Sequence, residues 1–258
     1  MPPVAPPPGD VLRGAMEKKN NASSPSPHPL IVSYYTPGTA YETNAMALKQ
    51  DAIRLGLAAR IEPRPSRGSW VENCAQKAGF IRELHREETR PLLWLDADAR
   101  LRRPLRQLEN ITADFAIVRE RGWAFYSGQI YFGAGPAAAR LLDIWVDYCT
   151  RFPQIWDQVS LGYAWWELSL RQKLEVLWLK PRLFQKTPRG ALERLRHRLT
   201  PPAPILQRQE SRRSKATQGN PKHPEFGMDE VPAWWRVAAA RNAPFPLDAT
   251  QRRALGLA

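Results

Sequence analysis

The segment from Pro91 to Asp98 constrains this chain more than any other. Leu92, Leu93, Trp94 and Leu95 form an unbroken apolar row, followed at once by Asp96, Ala97 and Asp98. Side chains alternate sides along a strand, so four apolar residues in succession predict a strand buried on both faces. Such a strand belongs at the centre of an α/β sheet covered by helices on either side. Two carboxylates at i and i+2 just past its end would stand at the carboxyl edge of the sheet, where open α/β folds bind ligands.

Two anions this close repel each other, and a divalent cation with oxygen ligands is the usual remedy. Mg²⁺ or Mn²⁺ held by Asp96 and Asp98 could bridge to a diphosphate and stabilise its charge as it leaves. Ala97 between them would let a ligand approach the backbone. The plainer alternative is a pair of solvated acids in a turn, paired with Arg100 or Arg102.

The flanking sequence alternates strand and helix patterns. Residues 1–28 are proline-rich and read as a disordered leader. Leu30 to Tyr35 predicts a first strand closed by Thr36, Pro37 and Gly38. A helix follows over 41–56, then a short strand at 59–62. Ser69 can cap a helix over 70–88, with Val71, Cys74, Ala78, Ile81 and His85 at helical spacing. Strands are expected at 115–118, 128–132 and 174–179. Helices are expected from Pro136 and over 158–173. The pattern predicts an α/β fold with a mostly parallel sheet in one domain over 29–216, and residues 217–258 as an extension or lid.

Composition narrows the class. The chain has 258 residues, ten of them Trp, and a formal net charge of +13. No run approaches the ~20 apolar residues of a membrane span, and no apolar signal-peptide core stands at the start, so a cytoplasmic location is expected. Cys74 and Cys149 lack metal-ligand spacing and read as free thiols, and the four His are scattered. Between Pro181 and Lys215, ten Lys/Arg face two acids. That stripe suits phosphate in some form: a nucleotide diphosphate, an anionic membrane surface or nucleic acid.

The Asp96-Ala97-Asp98 segment resembles the DxD motif of GT-A-type glycosyltransferases, which use nucleotide-sugar donors. Other segments follow in matching order. Ile31 to Tyr41 resembles the first strand and nucleotide loop of bacterial nucleotide-diphospho-sugar transferases with that motif. Gly68, Ser69 and Trp70 with Lys77 resemble the helix before it. Ser127 to Phe132 resembles the acceptor-side strand, Asp157-Gln158 a dipeptide ahead of a helix, and Ile205 to Arg213 a late donor-binding segment. The resemblance covers about residues 30–215.

It implies a GT-A-like (Rossmann-like) mixed, mostly parallel sheet flanked by helices, and transfer of a sugar from a nucleotide-diphosphate donor to an acceptor hydroxyl. Asp96 and Asp98 would hold the cation, with Asp98 among the catalytic groups. Tyr35, Thr36 and Tyr41 would line the nucleoside pocket, although ordinary turn and core packing explains them equally. Lys77 would reach donor phosphate or a DxD carboxylate, unless it is a surface lysine lying along the helix. Ala97, Ser211, Arg212 and Lys215 complete the donor side. Ser127, Gly128 and Gln158 would face the acceptor, a plain turn being the alternative for the first two. Asp157 would orient or deprotonate the acceptor hydroxyl, or simply cap the helix after it.

The chain departs from the family at one position. Where relatives carry a metal-ligand histidine, it has Gln207 or Arg208. Gln207 can give one oxygen ligand; Arg208 would neutralise phosphate directly. Two other readings compete. A haloacid-dehalogenase-type phosphatase also uses Asp-x-Asp after an apolar strand, but expects Thr or Val where Arg100 stands. A non-enzymatic binder of nucleic acid or an anionic membrane would use the basic stripe alone, though no nucleic-acid-binding motif is present. Peripheral contact with an anionic membrane at its inner face is also compatible with the transferase.

Overall fold

The computed structural model of the protein describes residues 28–119, 125–151, 153, 156–188 and 190–210. The chain runs β1 (Leu30–Tyr35), α1 (Ala40–Arg54), β2 (Ala59–Pro63), α2 (Trp70–Glu87), β3 (Leu92–Leu95), β4 (Ala99–Leu101), β5 (Phe115–Arg119) and β6 (Phe125–Phe132). It continues through α3 (Pro136–Arg151), α4 (Asp157–Arg171), β7 (Val176–Trp178), β8 (Phe184–Lys186), α5 (Ala191–Leu199) and β9 (Ile205–Gln207). The expected leader, apart from His28, and the expected extension lie outside the described residues.

Six strands form the main sheet in the order β2-β1-β3-β6-β5-β7. Only β6 runs against the others, pairing antiparallel with β3 and β5. The sheet is therefore mixed and mostly parallel, as expected. β3 sits inside it, and all four of its residues are buried.

The alternation of side chains explains why β3 has no polar residue. Leu92 and Trp94 join Leu30, Val32, Ile130 and Phe132 on one face, beneath α2, α3 and α4. Leu93 and Leu95 join Ile31 and Tyr131 on the other, beneath Leu48 and Ala52 of α1. The tryptophans are spent mainly on the first face: Trp94, Trp145, Trp165 and Trp166 are buried there, and Trp178 packs on Trp165 with ring centroids 5.7 Å apart.

Local signals fix the helix starts. Ser69 caps α2 as expected, in a reciprocal box with Glu72. The buried face of α2, however, runs through Lys77, Ala78, Ile81 and Leu84, so Lys77 points inward. α4 begins one residue earlier than expected: Trp156 takes the N-cap position and Asp157 is the first helical residue. This overturns a capping role for Asp157. Cys74 is half-buried and Cys149 buried, and neither forms a disulfide, as expected.

A second, three-stranded sheet in the order β4-β9-β8 escapes the sequence pattern. Its strands have three residues each, too short to show a period. The sheet packs through Ala99, Leu101, Phe184 and Ile205 into the same apolar cluster as α1. Asp51 of α1 fastens it from the other side. Its carboxylate takes two hydrogen bonds from Arg100, at 2.6 and 3.0 Å, and one from the Leu101 amide at 3.1 Å. Arg100 is thereby committed to Asp51 and does not pair with Asp96 or Asp98. Arg102 donates instead to Gln185 at 3.2 Å.

Burial would raise the Asp51 carboxyl, but the hydrogen bonds from Arg100 and Arg54 hold it below its ordinary value. A depressed carboxyl stabilises the fold above the unfolded-state value, and that stability is lost as pH falls through the folded one. Asp51→Ala is expected to cost about 2–3 kcal/mol at pH 7 by urea denaturation. The difference from the parent should shrink below about pH 4.

Candidate functional site

β3 leaves the main sheet at Leu95 and β4 enters the small one at Ala99, so Asp96, Ala97 and Asp98 form the turn between two sheets. The turn is held by its backbone. The Asp96 amide donates to the Gly128 carbonyl oxygen and the Ala99 amide to that of Asp96, both at 2.9 Å. Trp94, on the same strand face as Asp96, donates its indole N–H to Asp96 Oδ1 at 2.9 Å. Asp98 is 4% exposed and accepts from the Glu210 amide at 2.7 Å.

β9 runs antiparallel to β4 and sets Gln207 opposite Ala99. From there the Gln207 amide reaches across both carboxylates, with Nε2 3.0 Å from Asp96 Oδ2 and 3.4 Å from Asp98 Oδ1. Arg208 points elsewhere, donating to Asn44 of α1 at 2.9 Å. Gln207, rather than Arg208, therefore occupies the position beside the carboxylates.

The other half of the site is Lys77, which is 4% exposed. Its ammonium donates to the Ser127 carbonyl oxygen at 3.1 Å and forms ion pairs with Asp157 Oδ2 at 2.8 Å and Asp96 Oδ1 at 3.2 Å. The Trp94 ring lies 5.2 Å away, in cation–π range. Lys77 is thus a buried counter-ion, not a lysine lying along the surface. Asp157 is itself 4% exposed. It is held in place where the Trp145 indole donates to its backbone oxygen at 2.9 Å. The Trp70 and Trp156 rings meet edge-on, 5.7 Å apart, where α2 and α4 begin.

The electrostatics follow from this packing. Burial opposes a charge on Lys77, but Asp157 and Asp96 attract it strongly enough to keep the ammonium protonated well above the ordinary lysine range. Asp98 lacks such a partner. Burial, and then the charge of Asp96, push its carboxyl up to about 6, against the hydrogen bond from the Glu210 amide. Tyr34, packed on Trp94 at 5.3 Å, is raised well above its usual value, mainly by burial.

The residues fit a hard divalent cation. Asp96 and Asp98 offer carboxylate oxygens, and turning the Gln207 amide over directs Oε1 to the same point, since its O and N are nearly isosteric. Among the described residues no cluster of three His, Cys, Asp or Glu forms, so the donor set is two carboxylates and one amide.

Other expected residues fall around this centre. Ala97 is buried in the turn. Ser127 supplies its carbonyl to Lys77, and its side chain is also buried. Gly128 is a position of close approach: a Cβ there would lie 2.5–2.8 Å from the Gln207 side chain. Half-buried Tyr35 and Thr36 stand at and just past the end of β1, the parallel neighbour of β3. Tyr41 lies in the first turn of α1, its amide donating to Thr39 Oγ1 at 3.2 Å. Gln158 is half-buried beside Asp157 in α4. Ser211, Arg212 and Lys215 lie outside the described residues.

Sequence reasoning passed over Trp94 and Tyr34. The i, i+2 spacing of Trp94 and Asp96 on one strand could have linked them; nothing local marks Tyr34. A groove of about 560 Å³ beside α2, lined in part by Arg64, Glu72, Gln76 and Cys149, contains none of the site carboxylates.

No family model and no curated protein matches this sequence. Among solved structures, the chain is similar to a glycosyltransferase involved in the glycosylation of the major capsid of PBCV-1. The TM-score is 0.55 at 13% identity, over 74% of this chain and 99% of that one. It aligns more loosely with the apo-form glycosyltransferase GlyE of Streptococcus pneumoniae TIGR4, with a TM-score of 0.47 and 12% identity over 71% and 55% of the two chains. Mouse xyloside xylosyltransferase 1 gives 0.43 and 10% over 70% and 97%. At such identities what is shared is the fold, and this chain has the fold of the first of these structures.

The raised Asp98 carboxyl yields a sign-definite test. An acid whose value is higher folded than unfolded costs stability as pH rises between the two, and the cost then stays constant. Without divalent cations, Asp98→Asn is expected to stabilise the protein at pH 8 by roughly 2–3 kcal/mol, and not at pH 4. Thermal unfolding at the two pH values checks this.

Proposed function

We propose that the protein transfers a sugar from a nucleotide diphosphate to an acceptor hydroxyl. The observation carrying this reading is the convergence of Asp96, Asp98 and Gln207 at the carboxyl edge of a glycosyltransferase-fold sheet, with Lys77 buried behind them. In the reaction, the bond from the anomeric carbon to the diphosphate oxygen breaks and its electron pair leaves with the diphosphate. A bond forms from the acceptor oxygen to the same carbon, and the acceptor proton is released to water.

Asp96, Asp98 and the Gln207 oxygen would hold Mn²⁺ or Mg²⁺, which when bound supplies positive charge against the departing diphosphate. The chain's own residues prepare that place. Lys77 fixes the Asp96 carboxylate in place. Asp157, buried behind Lys77, is then a positioning residue for that ammonium rather than the group that meets the acceptor. Gly128 leaves the space that the Gln207 side chain needs. Tyr35 and Thr36, at the end of β1, and Tyr41, in the first turn of α1, are suited to the nucleoside, and Tyr41 could stack on a base. Ser211, Arg212 and Lys215 begin four residues after Gln207 and are suited to the phosphates. Of the expected acceptor-side residues, Ser127 and Gly128 instead line Lys77 and Gln207, which leaves half-buried Gln158 to face the acceptor.

Calorimetric screening of UDP-, GDP-, CMP- and dTDP-linked sugars, with and without Mn²⁺, tests the reading. One donor is expected to bind in a Mn²⁺-dependent way, and Asp96→Asn or Asp98→Asn to abolish that dependence. Gly128→Ala displaces the flexible end of Gln207 rather than backbone, so it should fold normally yet weaken Mn²⁺ binding about tenfold or more. If no nucleotide sugar binds under any of these conditions, the proposal fails.

A further inference from the structure

We infer that α5 is a docking helix for an anionic lipid surface. This inference stands apart from the transfer reaction and rests on the nine residues Ala191–Leu199, none of which is buried. Leu192, Leu195 and Leu199 are 80%, 52% and 77% exposed. At about 100° per residue they fall within an arc of about 60°, a single apolar stripe along the helix. Among the described residues, six large apolar side chains are exposed, and three of them are these leucines. A helix of this size leaves such a stripe in water at a cost unless another apolar phase receives it.

The charges around the stripe indicate which phase. Arg196 and Arg198 lie on its two flanks, with Arg194 beyond, and Glu193 is the only acid in the helix. Lys180 and Arg182 are exposed in the segment leading to it. Leucines seated among acyl chains, with arginines on both sides reaching back to the headgroups, is the arrangement of an interfacial helix. A nucleic acid would use the arginines but not the leucines. The other ready occupants are residues 211–258 and a second copy of the chain. Residues 211–258 carry eight Lys/Arg against four Asp/Glu, and the whole chain carries +13. Both repel the flanking arginines, whereas anionic lipid complements them.

The test uses the full chain and vesicles of phosphatidylcholine with or without phosphatidylglycerol. Co-sedimentation is expected only with phosphatidylglycerol. Arg196→Gln with Arg198→Gln should weaken it about 30-fold, and Leu192→Ser with Leu195→Ser about tenfold or more. Because these side chains are exposed, circular dichroism and nucleotide-sugar binding in solution should not change. Hydrogen exchange at α5 amides should be fast in the free protein and slow on phosphatidylglycerol vesicles. Unaltered vesicle binding by the leucine variant, or equal binding to neutral vesicles, would overturn the inference. So would slow exchange at α5 before lipid is added, which would show that protein already covers the stripe.

Discussion

A single buried ammonium organises this molecule's candidate site. Lys77 comes from α2 and meets the end of β3 through Asp96, the bulged start of β6 through Ser127, and the start of α4 through Asp157. Burying one charge alone is prohibitively costly, and burying an ammonium between two carboxylates and a carbonyl oxygen is tolerable. The sheet edge, the middle of α2 and the start of α4 are tied to one atom, so a shift of any element would leave a charge unpaired. Two tryptophans reinforce the arrangement, Trp94 against Asp96 and Trp145 against the backbone of Asp157.

The second organising feature is the turn between the sheets. Because Asp96 and Asp98 link β3 to β4, the small sheet decides what stands opposite them. That sheet is fastened by Asp51 and delivers Gln207 through β9. The two carboxylates consequently have different surroundings. Asp96 has the charge of Lys77 beside it. Asp98 has only an amide proton and the edge of Gln207, and its carboxyl rises accordingly. An unrelieved anion beside a paired one is a site prepared for added positive charge.

Much of this was legible in the sequence wherever one element carries its own signal. The apolar row Leu92–Leu95 betrays a strand buried on both faces, and Ser69 with Glu72 marks the start of α2. What could not be read depends on elements distant along the chain. The resemblance directs Lys77 to a DxD carboxylate, and it meets Asp96, but nothing along the chain shows that Asp157 is its other partner. The choice between Gln207 and Arg208 needs the register of β9 on β4, and three-residue strands leave no periodic trace. The basic stripe divides for the same reason. Arg208 is committed to Asn44 and Lys186 to Tyr126, while the α5 arginines stay exposed.

The measurement that bears most directly on this arrangement is a double-mutant cycle between Lys77→Met and Asp157→Asn, read by chemical denaturation. Removing the lysine leaves two carboxylates without their counter-ion, so Lys77→Met alone should cost about 3–5 kcal/mol. Much of that cost should vanish once Asp157 is also neutral, giving a coupling of about 2 kcal/mol or more. Additive effects, with coupling within about 0.5 kcal/mol of zero, would contradict a buried ammonium that ties α2 to α4.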